Sequence, residues 1–449
     1  MRNYICVCAL AWALGGVASA QQPDTTKKPA PPAPFGFADF TWVNGNSRAH
    51  ESPLDTKYFT PEIRVDVNYV SDFNRPKDHT IDGSSEVGRS SEIQLQQLGL
   101  GGDFHYDNVR ARVMTQFGLY STETPRNDAS PSRGQWDLTT AYRYFTEAYG
   151  GYHFNAMNGI NVDVGIFLSY IGLFSYYNAD NWAYQPSYVS ANTPWFFNGA
   201  RVQMFPSQKL KVELWLINGW QSYGMFNSQP GLGTEILWRP NGSLQILTND
   251  YWGYDTFGAP SRARIHSDNS ILYKYYDSPN DIWDKSALSF TFDAGCENGG
   301  HVQCAKASNG RPQQYFLGFM LYDRNWFSHD HFGVTVGGGA INNPGRYLVL
   351  LPPINGATAT SGTPYFTENP GDQYHAWDAS LTLDWAPNDY FMFRIEPDRR
   401  EASVPYFVGR QGVTPPGGNN GNPSAKVAGW SPDLVKTETR VNVAVLVKL

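Results

Sequence analysis

PEIRVDVNY (61–69) puts Ile63, Val65, Val67 and Tyr69 on one parity and Glu62, Arg64, Asp66 and Asn68 on the other. A two-residue period sends successive side chains to opposite faces of an extended strand. The same division recurs along the chain. NVRARVMTQFGLY (108–120) sets Val109, Ala111, Val113, Phe117 and Leu119 against Arg110, Arg112, Met114 and Gln116. INVDVGIFLSY (160–170), KLKVELWL (209–216), AWDASLTLDW (376–385) and TRVNVAVLVKL (439–449) repeat it. Charge keeps to one parity in each segment, so the other face is almost free of it. Aromatics close the apolar parity near strand ends: Tyr142, Tyr152, Phe154, Tyr170, Trp377 and Trp385. That is the pattern of aromatic girdles around a lipid-facing band.

Composition agrees. Charged residues are 17% and aromatics 15%, and mean hydropathy is −0.44. Beyond the N-terminus no apolar run approaches the ~20 residues of a membrane-spanning helix. Formal net charge is −7, a balance that argues against nucleic acid as a partner.

The N-terminus has the layout of a secretory leader: Arg2, the apolar YICVCALAWALGGV, and a small-residue cleavage site at Ala18–Ala20. The expected organisation is a signal peptide at 1–20, then a Pro-rich periplasmic linker and N-terminal segment at 21–57, then a barrel at 58–449. The segment FADFTWVNGNSRAHESPLD (37–55) reads equally as a short strand, a plug or a periplasmic stretch. Cys6 and Cys8 leave with the leader. Cys296 and Cys304 bracket ENGGHVQ, and one local disulfide is the simplest reading for an exported chain.

Strand starts fall near 62, 92, 108, 141, 160, 195, 209, 231, 243, 268, 286, 313, 331, 373, 389 and 437. Tight turns at 105–108, 155–159, 206–208, 239–242 and 386–389 alternate with long connections at 71–91, 121–139, 173–194, 342–372 and 402–436. The fold class is therefore all-β, a transmembrane antiparallel β-barrel of about sixteen strands, with fourteen as the alternative count. Short turns are periplasmic and long loops extracellular.

PRNDASPSRGQWDL (125–138), the stretch 147–206, INGWQSYGMFN (217–227), QYFLGFMLYDRNWF (314–327) and the stretch 337–372 resemble the putative outer-membrane β-barrel porin-2 family, OmpL-like. The resemblance implies an outer-membrane barrel and brings no agreed catalytic residue; with the charged inward parity, the expected function is passive diffusion of small hydrophilic solutes. Two rival functions remain open: a barrel enzyme of lipase or protease type, and a secreted carbohydrate-binding β-protein.

Charges on the inward parity are the pore-lining candidates: Arg64, Asp66, Arg110, Arg112, Arg143, Glu147, Asp163, Lys211, Glu213, Arg394 and Glu396. Arg110, Arg112, Arg143 and Arg394 are favoured, because a permanent guanidinium recognises carboxylate and phosphate. YLVLLPP in 342–372 is too apolar for a water-exposed loop and is expected to fold into the mouth. The aromatic loop 175–196 is expected to pack at the rim. SHDHF (328–332) offers His329 and His331 but reads as a solvated turn, and no metal or other cofactor is implied. Partners are outer-membrane lipid, small hydrophilic solutes and the barrel assembly machinery, with homo-oligomers an open prospect. That machinery commonly reads a terminal aromatic residue, whereas this chain ends on Leu449.

Overall fold

The computed structural model describes residues 33–81, 87–128, 130–256, 259–304, 313–345, 347, 374–418 and 427–449. The expected leader, most of the Pro-rich linker and most of 342–372 lie outside them. Pro34–Leu449 forms one compact unit.

Eighteen strands follow in order: β1 (Phe59–Asp72), β2 (Ile93–Tyr106), β3 (Val109–Thr115), β4 (Phe145–Phe154), β5 (Ile160–Leu168), β6 (Phe196–Ser207), β7 (Leu210–Ile217), β8 (Gly231–Asn241), β9 (Leu244–Gly253), β10 (Ala263–Asp277), β11 (Trp283–Asn298), β12 (Tyr315–Phe327), β13 (Phe332–Asn343), β14 (Tyr374–Asn388), β15 (Phe391–Ala402), β16 (Phe407–Val408), β17 (Leu434–Val435) and β18 (Thr437–Lys448). β1–β15 and β18 make a closed antiparallel barrel of sixteen strands; β16 and β17 pair separately in the last long loop. β18 closes the ring between β1 and β15, with Val65 opposite Val447 and Ile395 opposite Val443. Closure leaves no unpaired edge for lipid to meet.

Parity decides the faces. Val164, Leu214, Ile236, Ile265, Phe319, Val336 and Leu383 stand exposed on the outside, while Arg64, Asp66, Asp163, Glu213, Arg394 and Glu396 are buried inside. Near the turn end an exposed ring of Tyr106, Tyr152, Trp238, Tyr273, Trp283, Phe332 and Trp385 surrounds the wall. One outward patch departs from the apolar rule. Thr234, Asp250 and Ser267 share a row across β8–β10, and Thr248 and Asn269 pair below them.

Three sequence expectations need correction. β4 starts at Phe145 rather than near 141, because Leu138–Tyr142 coil into a helical turn. The Asp137 carboxylate caps that turn by accepting from Thr140 N at 3.0 Å. Tyr142 consequently leaves the girdle and meets Tyr223 edge-on. β10 begins at Ala263, five residues before the expected start at 268, since its inward Arg264 and His266 mask the alternation. Tyr170 lies beyond the end of β5, where parity no longer applies; it turns inward, stacks on Trp215 at 4.7 Å and donates to Asp250 O.

At the loop end, Cys296 and Cys304 form the expected disulfide, with Cα atoms 5.2 Å apart. The β1–β2 and β15–β18 loops dock through Asp78, which accepts from the backbone N–H groups of Val413 (2.8 Å) and Thr414 (2.7 Å). Burial raises the Asp78 carboxyl, but these bonds outweigh it and hold the group below its ordinary 3.8. A depressed folded value means the contact contributes fully above about pH 3.8 and is lost as pH falls through the lower folded value. The Val413 and Thr414 amides should therefore keep their protection against hydrogen exchange, relative to free-peptide rates, from neutral pH down to about pH 4 and lose it only in stronger acid. Unprotected amides at pH 6 would refute the docking.

Candidate functional site

The loop between β5 and β6, 169–195, leaves the wall and fills part of the lumen. It packs inside the barrel, not at the rim. Tyr170, Phe174, Tyr177, Trp182, Tyr184 and Tyr188 are all buried. An irregular chain inside a barrel must find partners for its backbone, and the strands supply them. Glu396 accepts from Tyr184 N (2.6 Å) and Gln185 N (2.7 Å). Asp378 accepts from Ser187 Oγ (2.8 Å) and Tyr188 N (2.9 Å). Arg394 donates to Asn181 O at 2.7 Å and Arg324 to Trp182 O at 3.3 Å. Asp66 accepts from Tyr184 OH (2.8 Å) and Asn178 Nδ2 (2.9 Å). Burial pushes the hydroxyls of Tyr177, Tyr184 and Tyr188 well above the usual tyrosine range, so they stay protonated. Tyr177 OH donates to Glu147 at 2.9 Å.

A second segment, residues 34–50, straps the turn end. Phe35 N donates to Gln208 O (2.8 Å) at the β6–β7 turn, and Trp42 Nε1 to Gly242 O (3.1 Å) at the β8–β9 turn. On the far side Arg48 Nη2 donates to Asn388 O (2.9 Å), and His50 Nδ1 lies 2.9 Å from Asp389 Oδ2. The tip of the inward loop meets the strap midway. Trp182 Nε1 donates to Trp42 O (3.0 Å), Trp182 N to Asn44 Oδ1 (2.6 Å), and Gly45 N to Asp180 O (3.0 Å). Of the three readings left open for 37–55, the plug fits.

The remaining wall, β2–β8, carries buried and partly buried charges. Arg112 is enclosed by Glu62 (2.9 Å), Asp103 (2.7 Å) and Glu147 (2.8 Å). Arg64 meets Asp180 at 2.9 Å, also contacts Glu62, and lies under the Tyr177 ring. Lys211 sits between Glu213 (3.0 Å) and Glu235 (2.5 Å). Asp163 takes two guanidiniums: Arg110 Nε at 3.2 Å and Arg201 Nη2 at 2.7 Å. Gly151 stands between Arg110 and Asp163 in the β3–β4–β5 row. A Cβ there would fall 2.1 Å from Asp163 Oδ1, so only glycine leaves the gap.

Sequence parity thus brings Arg64, Asp66, Arg110, Arg112, Glu147, Asp163, Lys211, Glu213, Arg394 and Glu396 to the interior. Their surroundings divide them. Asp66, Arg394 and Glu396 anchor the inward loop, whereas Arg110, Arg112, Asp163, Lys211 and Glu213 form the β3–β7 wall. Arg143 is a correction. It follows the helical turn before β4 and donates to Ser121 O (3.1 Å) and Thr122 Oγ1 (2.9 Å) in the β3–β4 loop.

Sequence reasoning missed Arg201, Asp180, Arg324 and Asp384. Asp384 binds Arg324 (2.7 Å) and Arg394 (2.6 Å) from either side. Inward parity marks Asp384, but Arg201 hides among Gly199, Ala200 and Gln203, and loop residues such as Asp180 carry no parity. His329 and His331 lie in the β12–β13 turn, where Asp330 bonds Lys285 at 2.6 Å.

A family model described as "Putative beta-barrel porin-2, OmpL-like" matches residues 62–425. No curated protein matches the chain. Several solved structures align with the chain at low identity. The anion-selective porin from Comamonas acidovorans is 11% identical, with 87% of this chain and 99% of that one covered and a TM-score of 0.48. The outer membrane channel DcaP of Acinetobacter baumannii is 12% identical over 88% and 96%, with a TM-score of 0.46. OprB of Pseudomonas putida is 11% identical over 87% and 94%, with a TM-score of 0.46.

Proposed function

This chain belongs to the putative beta-barrel porin-2, OmpL-like family of outer-membrane barrels, and on that premise we propose that it passes small hydrophilic solutes by passive diffusion along the β2–β8 wall. The observation that carries this reading is the split of surfaces. An aliphatic outer face suits acyl chains, and a charged inner face with Arg110 partly exposed and Arg112 and Lys211 mostly buried beside it suits hydrated solutes. The inward loop and strap narrow the path. No cofactor takes part.

The leader would be cleaved after Ala20, the turns would face the periplasm, and the barrel assembly machinery would insert the chain. The outward polar patch on β8–β10 suits contact with a second copy, since Asp250 and its neighbours lose less against protein than against hydrocarbon. For the enzyme alternative, serine hydrolysis needs a base beside a hydroxyl nucleophile. The most buried histidine, His266, instead lies 2.8 Å from Asp293 and 3.0 Å from Tyr347 OH.

Purified protein added to a planar bilayer should give discrete conductance steps. Intact, detergent-folded barrels that never conduct would remove the porin mechanism.

A further inference from the structure

Three cationic centres on β3, β6 and β7 face the lumen, and their partners differ. Arg112 is met by three carboxylates, and Lys211 by two. At Asp163 one fully buried carboxylate pairs with both Arg110 and Arg201, and Glu213 also acts on Arg201. Arg201 is fixed by two bonds to Asp163 Oδ2 and by the rings of Tyr149, Phe167 and Trp215 at 4.9–5.3 Å. Arg110 uses only Nε. Its side chain is 29% exposed against 0% for Asp163, and among the described residues its terminal Nη1 and Nη2 have no protein partner. The carboxylate therefore sits back in the wall while the Arg110 guanidinium, with an unused planar fork, faces the path.

Resting on the porin reading above, we propose that Arg110, backed by Asp163 and Arg201, is an anion-binding step that favours solutes carrying a carboxylate or phosphate oxyanion. A guanidinium fork matches two oxygens of such a group. Asp163 holds Arg110 by an ion pair at Nε, 3.2 Å away, and leaves the fork outward, and Gly151 keeps the gap between them.

The test uses the full chain in a planar bilayer under a potassium chloride gradient, with inorganic phosphate and then benzoate added to one side. The wild type should prefer chloride to potassium, and both additives should reduce chloride current. Arg110→Gln should lower the chloride-to-potassium permeability ratio several-fold and abolish the block. Arg110→Lys should keep the ratio but weaken the block, because it retains the charge without the fork. A block by phosphate alone, or by benzoate alone, narrows the oxyanion to that class. Conducting channels whose ratio and block are the same in wild type and Arg110→Gln would overturn the anion step and leave the porin reading intact. A folded protein that never conducts would overturn both.

Discussion

Deletion of residues 439–449 is expected to abolish assembly into the membrane. β18 pairs nine residues with β1 and eleven with β15. Without it both neighbours present unpaired N–H and C=O groups to hydrocarbon, and each such group costs several kcal/mol. The loss reaches the interior as well. Arg440 carries the Asp398 carboxylate at 2.7 Å and Glu438 at 3.3 Å, and Ala444 and Leu446 are buried. Even Leu449 exchanges backbone hydrogen bonds with Ile63, at 2.9 and 3.0 Å. Fractionation checks the prediction, since the truncated chain should be degraded or aggregate outside the membrane. A truncated protein that still resists extraction and migrates as a folded barrel would show that closure does not depend on β18. A terminal Leu in place of an aromatic residue leaves these pairings unchanged, because they are made by backbone.

Replacing Leu173–Thr193 by a short Gly/Ser linker should raise single-channel conductance several-fold while the barrel still folds. The loop fills lumen against β12–β15, β18 and β1, and its contacts combine hydrogen bonds to strand carboxylates and guanidiniums with apolar packing on Tyr322, Trp326 and Tyr374. Water takes over those bonds once the loop is gone, so Glu396, Asp378 and Arg394 stay solvated instead of stranded. Trp42→Ala supplies the contrast. It removes the buried indole and its bond to Gly242 O, an alteration that costs about 3–5 kcal/mol in a packed site. That loss falls on the strap, which covers only the turn end, so the variant should raise conductance less than the loop replacement. Equal conductance in wild type and the loop-replaced protein would show that the inward loop does not set the narrowing.

The wall was legible because lipid and water impose opposite demands on alternate residues. Val65 and Arg64 are adjacent in sequence and can be satisfied only on opposite faces. Fourteen of the sixteen expected starts lie within three residues of the strands found. The other two failed for local reasons: the Asp137 cap at β4 and the polar inward residues that open β10. The disulfide was legible from spacing and compartment alone.

The interior contents were not. YLVLLPP looked the stronger candidate for an inward loop; its Tyr347 is buried against His266 and Phe316, and 348–353 lie outside the described residues. The segment that enters is 169–195, which advertised only aromatic richness. Its place depends on partners from distant strands, such as Asp66, Asp378 and Glu396, whose common height in the barrel no local pattern records. The Asp163 clamp is of the same kind. Arg110, Gly151, Asp163 and Arg201 lie on four consecutive strands, and the row that unites them exists only once registers are set. By itself, then, the sequence determined the barrel, its faces and its two kinds of connection, because a period-two pattern is local and the bilayer enforces it. Tertiary structure alone decided which loop enters, how the strap closes the turn end and which guanidinium keeps a free fork, because those depend on which side chains meet across the lumen.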